Sequence, residues 1–160
     1  MAPSNPATAA GAPRLMDSDL AREPSFPVAR TRSLGSALAD GRLAALDLRV
    51  RSYSVLSLAC AEPAPTQREL ADFLSLDPSQ IVALVDALER RGLVGRESDP
   101  SDRRSKLVSA TLEGRAVYRE ARKATAAAED EALAGLDASE REVLLRLLAK
   151  AAFGGVPQST

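Results

Sequence analysis

The 160-residue chain has no histidine, no tryptophan, five other aromatic residues and one cysteine, Cys60. Without histidine, the side chain most often used as a general acid or base near neutral pH is missing. One cysteine excludes a disulfide within the chain, and the usual zinc ligand sets cannot be assembled. No cofactor or metal is expected, and no grouping of acid, base and nucleophile supports an enzyme. There is no run of about 18 apolar residues and no charged start followed by an apolar stretch. The chain is therefore expected in the cytoplasm, with no membrane partner. Scarce aromatics and abundant Ala, Leu and Arg favour helices over sheet, and the length suits one domain with little room for a second. Lys and Arg number 21 against 22 Asp and Glu. That balance argues mildly against nucleic acid as a partner, because phosphate affinity is largely electrostatic. Local placement of charge has to carry any such case.

What is present is a succession of helix signals. Residues 1–25 are rich in Ala, Pro, Ser and Thr and read as a tail. Pro27 suits the first turn of a helix reaching about Leu46, with Val28, Leu34, Leu38 and Leu43 on one stripe. Dense apolar residues from Val50 to Ala61 predict a buried central helix that Pro63 and Pro65 stop. Thr66 with Glu69 three residues later forms a capping box for a short helix carrying Leu70, Ala71 and Leu74. Asp77, Pro78 and Gln80 read as N-cap, first helical residue and box partner of the next helix. Its Ile81, Leu84, Val85 and Leu88 share a face, and Gly92 ends it. Two β-compatible runs, Leu93 to Glu97 and Lys106 to Ala110, flank a turn-forming charged segment and read as a hairpin. Thr111 then caps a long helix with Val117, Ala121, Ala124 and Ala128 on one stripe, and Asp137 with Glu140 opens the last. There, Val143, Leu144, Leu147, Leu148 and Ala151 make an apolar face too wide to leave exposed on a lone terminal helix, so something must cover it. Residues 154–160 read as a flexible end.

Two short helices joined by a tight turn and followed at once by a hairpin match a winged helix-turn-helix. The fold class expected is mainly α with a small β-hairpin wing, flanked by dimerisation helices. On the second short helix Ser79, Gln80, Val82, Ala83 and Asp86 lie off the apolar stripe, where a major groove would meet them. Gln80 can pair with adenine through two hydrogen bonds, and Val82 and Ala83 can touch thymine methyls. Thr66 and Gln67, at the start of the preceding helix, join them as candidate DNA contacts. Arg103 and Arg104 stand at the hairpin tip, placed to enter a minor groove; the alternative is a solvated charged turn.

The segments Thr66-Gln-Arg-Glu-Leu-Ala, Leu84-Val-Asp-Ala-Leu-Glu-Arg-Arg-Gly-Leu-Val, Asp99-Pro-Ser-Asp-Arg-Arg and Val108-Ser-Ala-Thr-Leu-Glu-Gly-Arg resemble the MarR family of bacterial regulators. The resemblance implies a DNA-binding part at about 50–111, within a domain of 26–153, and dimerisation helices at about 26–46 and 111–153. It further implies a homodimer on a palindromic DNA site, most often as a repressor, and frequently release by a small effector. By the same resemblance Arg104 reaches the minor groove and Asp102 orients the wing through a salt bridge. The chain departs from the family at Ala83, where an Arg or Lys often stands, losing a strong guanine reader. Arg49, Arg51 and Tyr53 fall where similar proteins form an effector pocket, and a guanidinium with a phenol can hold an aromatic carboxylate or phenolate. Their plainer reading is a core aromatic beside a solvated face. Cys60, late in its helix among apolar neighbours, reads as a core thiol rather than an oxidant sensor. The alternative function is a winged-helix protein-interaction module that has lost DNA affinity.

Overall fold

A computed structural model describes residues 13–100, 102 and 105–154. In order, the elements are α1 (Asp19–Arg22), α2 (Ser25–Leu43), α3 (Val50–Ala59), α4 (Gln67–Leu74), α5 (Pro78–Arg90), β1 (Val94–Ser98), β2 (Lys106–Ala110), α6 (Leu112–Ala132) and α7 (Ala138–Phe153). The mainly α class with one antiparallel hairpin is as the sequence predicts.

The stretch read as tail contains a 3-10 turn, Pro13–Asp17, and α1, so helical structure begins well before residue 26. Ser18 accounts for it, since its hydroxyl oxygen accepts the Ala21 N–H at 3.3 Å and so caps α1. Residues 1–12 and 155–160, the rest of the two ends read as loose, lie outside the described residues.

Helices α2 and α6 pack along each other more extensively than any other pair. Ala39, Leu43, Ala121 and Ala128 are buried there, and alanine at three of those four positions lets the two backbones approach closely. Arg42 Nη2 closes the pair with Glu131 Oε2 at 2.7 Å. After α2 the chain turns through Ala44–Leu46 and a left-handed Asp47 into α3. Asp40 of α2 receives α3, its Oδ1 accepting the Val50 N–H at 2.7 Å. That bond satisfies a free donor at a helix start.

Helix α3 is central, with Val55, Leu56 and Ala59 fully buried against α4, α5, α6 and β2. Helices α4 and α5 are too short to persist alone in water. They hold because Leu70, Ile81, Val85 and Leu88 are buried on them, each contributing roughly 1.5–3 kcal/mol by leaving water. Both begin as predicted, but the box expected at Asp77 and Gln80 does not form. The Asp77 carboxylate instead accepts the Ser79 N–H at 2.8 Å and the Ser79 hydroxyl at 2.5 Å, two residues on rather than three. Gly92, at φ 69°, supplies the left-handed residue that turns the chain from α5 into the hairpin.

Strands β1 and β2 pair from Val94–Ala110 to Ser98–Lys106. The sheet is pinned to the helix-turn-helix where Val108 N–H donates to the Pro65 carbonyl at 2.8 Å and Thr66 bridges Leu107. Helix α7 buries little of its length. Arg141 anchors its start to Asp130 Oδ1 at 2.6 Å and to the Leu133 carbonyl at 3.0 Å. Only Ala149 is buried on it, and Val143, Leu147 and Leu148 stay exposed in the single chain.

Candidate nucleic-acid interface

The recognition face is built from the first two turns of α5. Its buried stripe of Ile81, Val85 and Leu88 turns the opposite side outward. Ser79, Gln80, Val82 and Ala83 are all exposed there. Because Asp77 uses Ser79 as its capping partner, no capping box draws in the Gln80 side chain. Val82 is 44% exposed, an apolar group that the interior of the lone chain leaves in water.

The other predicted residues are placed less simply. Thr66 caps α4, its N–H and hydroxyl both donating to Glu69 Oε2 at 2.7 and 2.8 Å. Gln67 Oε1 accepts from Arg96 Nε at 3.0 Å. Asp86 is exposed but committed, since its Oδ1 lies 2.5 Å from Arg96 Nη2. Arg96 was missed by sequence reading because, within a short β run, it looks like any solvent-facing residue. At the wing tip, Arg103 and Arg104 lie outside the described residues. Asp102 is exposed and accepts the Ser105 hydroxyl at 3.2 Å, and its carbonyl accepts the Ser105 N–H at 2.8 Å. Asp99 N–H donates to the Ser105 carbonyl at 3.1 Å, one bond beyond the Ser98–Lys106 pair.

The suggested effector residues lie one turn apart on α3. Arg49 is its N-cap, with Nη1 3.8 Å from Asp40 Oδ2. Tyr53 is half-buried and stacks on Tyr118 of α6 at 6.0 Å between ring centroids. Ser57 Oγ stands 3.3 Å from the Tyr118 hydroxyl. Arg51 is exposed. Tyr118 and Asp40 were not foreseen, since α6 and α2 meet α3 only in three dimensions.

Cys60 ends α3, half-buried. Burial pushes its thiol pKa up, and the Arg115 guanidinium opposes that only in part. Arg115 Nη1 is held at the Cys60 carbonyl, 3.0 Å away. A thiol kept protonated is a poor nucleophile.

The sequence profile of the MarR family matches residues 48–106, which span α3 to the start of β2. A MarR-family transcriptional regulator from Rhodococcus sp. RHA1 is 39% identical, with 86% of this chain and 98% of that chain covered and a TM-score of 0.81. CouR from Rhodococcus jostii RHA1, solved with p-coumaroyl-CoA, is 40% identical over 87% of this chain and 98% of its own, with a TM-score of 0.76. The transcriptional repressor CouR bound to a 23-mer DNA duplex is 33% identical over 86% and 96%, with a TM-score of 0.75. Profile, whole-length fold and the helix-turn-helix with its hairpin agree, and the chain belongs to the MarR family of transcriptional regulators.

Proposed function

We propose that the chain is a sequence-specific DNA-binding repressor that acts in the cytoplasm as a homodimer on a palindromic site and performs no catalysis. The observation that carries this reading is the outward face of α5, where Gln80, Val82 and Ala83 stand exposed and uncapped beside the hairpin. A glutamine reads adenine and small apolar side chains read thymine methyls in a major groove. Thr66 and Gln67 serve as further DNA contacts, and the wing arginines Arg103 and Arg104 act in the minor groove, with Asp102 orienting the wing. The exposed Val143, Leu147 and Leu148 of α7 support pairing with a second copy, which would cover that face in a two-fold dimer. DNA binding by CouR supports the same reading.

The effector is an aromatic or phenolic acid or its thioester, held near Arg49 and Tyr53 at the junction of α2, α3 and α6. CouR binding p-coumaroyl-CoA supports that chemistry. No helix among the described residues is long and apolar enough to cross a membrane. The test is selection of duplexes from a random-sequence pool, with light scattering on the free protein. A palindromic consensus and a mass of two chains are the expected results; a monomer that enriches no sequence overturns the proposal.

A further inference from the structure

Arg96 carries more of the interface than its place in a wing strand suggests. Its side chain is 18% exposed, although it belongs to the strand that leads out to the hairpin tip. The guanidinium ties its own strand to two helices. Nε donates to Gln67 Oε1 of α4 at 3.0 Å, Nη2 to Asp86 Oδ1 of α5 at 2.5 Å, and Nη1 to Glu89 of α5. Nη2 also lies 3.5 Å from the Val82 carbonyl, at the middle of the recognition face.

We propose that Arg96 is a positioning residue for DNA recognition: it clasps the wing to α4 and α5 and neutralises Asp86 and Glu89 beside the DNA-facing surface. The inference rests on the DNA-binding reading above. Two physical points carry it. First, Asp86 lies three residues from Ala83 and four from Val82, so an unpaired carboxylate there would stand on the side that must meet phosphates. Second, the acceptors surround the guanidinium plane in several directions, which a rigid fork of five N–H donors can serve together. A lysine ammonium is a point charge on a flexible stem and cannot span them. The same fork fixes Gln67, leaving its amide nitrogen available at the start of α4.

The test compares the parent dimer with Arg96→Lys and Arg96→Met on a duplex that the parent selects from a random pool and on a scrambled duplex. Both variants are expected to bind the selected duplex about tenfold more weakly or worse, because charged hydrogen bonds that set the geometry are lost. Their slope of log affinity against log salt should stay at the parent value, because Arg96 displaces no counterion. In the free proteins, amide exchange across Val94–Ser98 should speed up. Parent-like binding by Arg96→Lys overturns the proposal. So does a slope lowered by about one unit per protomer, the signature of a direct phosphate contact. Arg96→Lys keeps the charge and stem, so it decides the matter even where Arg96→Met fails to fold. A parent that binds no duplex overturns the DNA-binding reading, whereas the exchange result reports on the clasp alone.

Discussion

Gly114, in the first turn of α6, lies against Leu93 so closely that a β-carbon on it would stand 1.9 Å from the Leu93 carbonyl oxygen. The same carbonyl accepts the N–H of Thr111, the α6 N-cap, at 3.1 Å, and the Thr111 hydroxyl reaches the Gly92 carbonyl at 2.7 Å. The long helix therefore starts from the root of the wing, and the two cannot be moved independently.

Gly114→Ala is expected to destabilise the fold by about 3 kcal/mol or more, above the usual range for overpacking because the obstacle is backbone. Urea denaturation followed by circular dichroism measures it. A midpoint equal to the parent's would show that α6 can leave the wing root at little cost.

Acid should unfold the protein through its helix starts. Glu69 is held below its ordinary pKa of 4.5, mainly by the Thr66 N–H and then by the Thr66 hydroxyl. Asp77 is lowered from 3.8 by the Ser79 hydroxyl and N–H, and Asp137 from 3.8 by the Glu140 N–H and the Ser139 hydroxyl. With folded pKa values depressed, the unfolded chain binds more protons, so the stability is present above these ordinary values and is lost as pH falls through the folded ones. Thermal midpoints should hold steady from about pH 5 upward to neutrality and drop below about pH 4. Asp137→Asn should flatten that acid limb; an unchanged limb contradicts the assignment.

Cys60 should be silent in oxidant sensing. Cys60→Ser is expected to match the parent in DNA binding with and without peroxide, since burial keeps the thiol protonated against the pull of Arg115. Loss in the variant of a peroxide response that the parent shows would reverse this conclusion.

The far end of α7 meets α4 in an aromatic ring pair. Phe153 stacks on Phe73 of α4, with centroids 5.7 Å apart and planes inclined by 6°. Both rings are more than half exposed, so the pair should couple only modestly, by about 0.5–1.5 kcal/mol in a double-mutant cycle of Phe73→Ala and Phe153→Ala. Additive effects in the cycle would mean that the stack contributes nothing.

Much of this architecture could be read from the chain because it is written in local signals. Thr66 with Glu69, Asp137 with Glu140 and Thr111 all cap helices where the sequence places them, since capping depends on residues three apart. The hairpin and the apolar stripes of α4 and α5 are legible for the same reason. What escaped reading depends on distant neighbours. Arg96 meets Asp86, ten residues back, and Gln67, in another helix. Arg91 reaches the Leu46 and Asp47 carbonyls at 2.9 and 2.6 Å, in the turn between α2 and α3. Tyr118 stacks on Tyr53 from α6. No spacing rule links such pairs. The helical turns at 13–22 were missed because Ala- and Pro-rich composition outweighed the single capping serine at Ser18.

If α5 reads bases in the major groove while the wing arginines enter the minor groove, a salt titration of Gln80→Ala and Arg104→Ala on a selected and a scrambled duplex separates the two roles. Gln80→Ala should lose roughly 1–3 kcal/mol on the selected duplex and almost nothing on the scrambled one. Arg104→Ala should weaken binding to both and lower the salt slope by about one unit per protomer. If Arg104→Ala binds both duplexes as tightly as the parent and Gln80→Ala does not separate them, neither element contacts DNA, and the winged helix serves protein interaction instead.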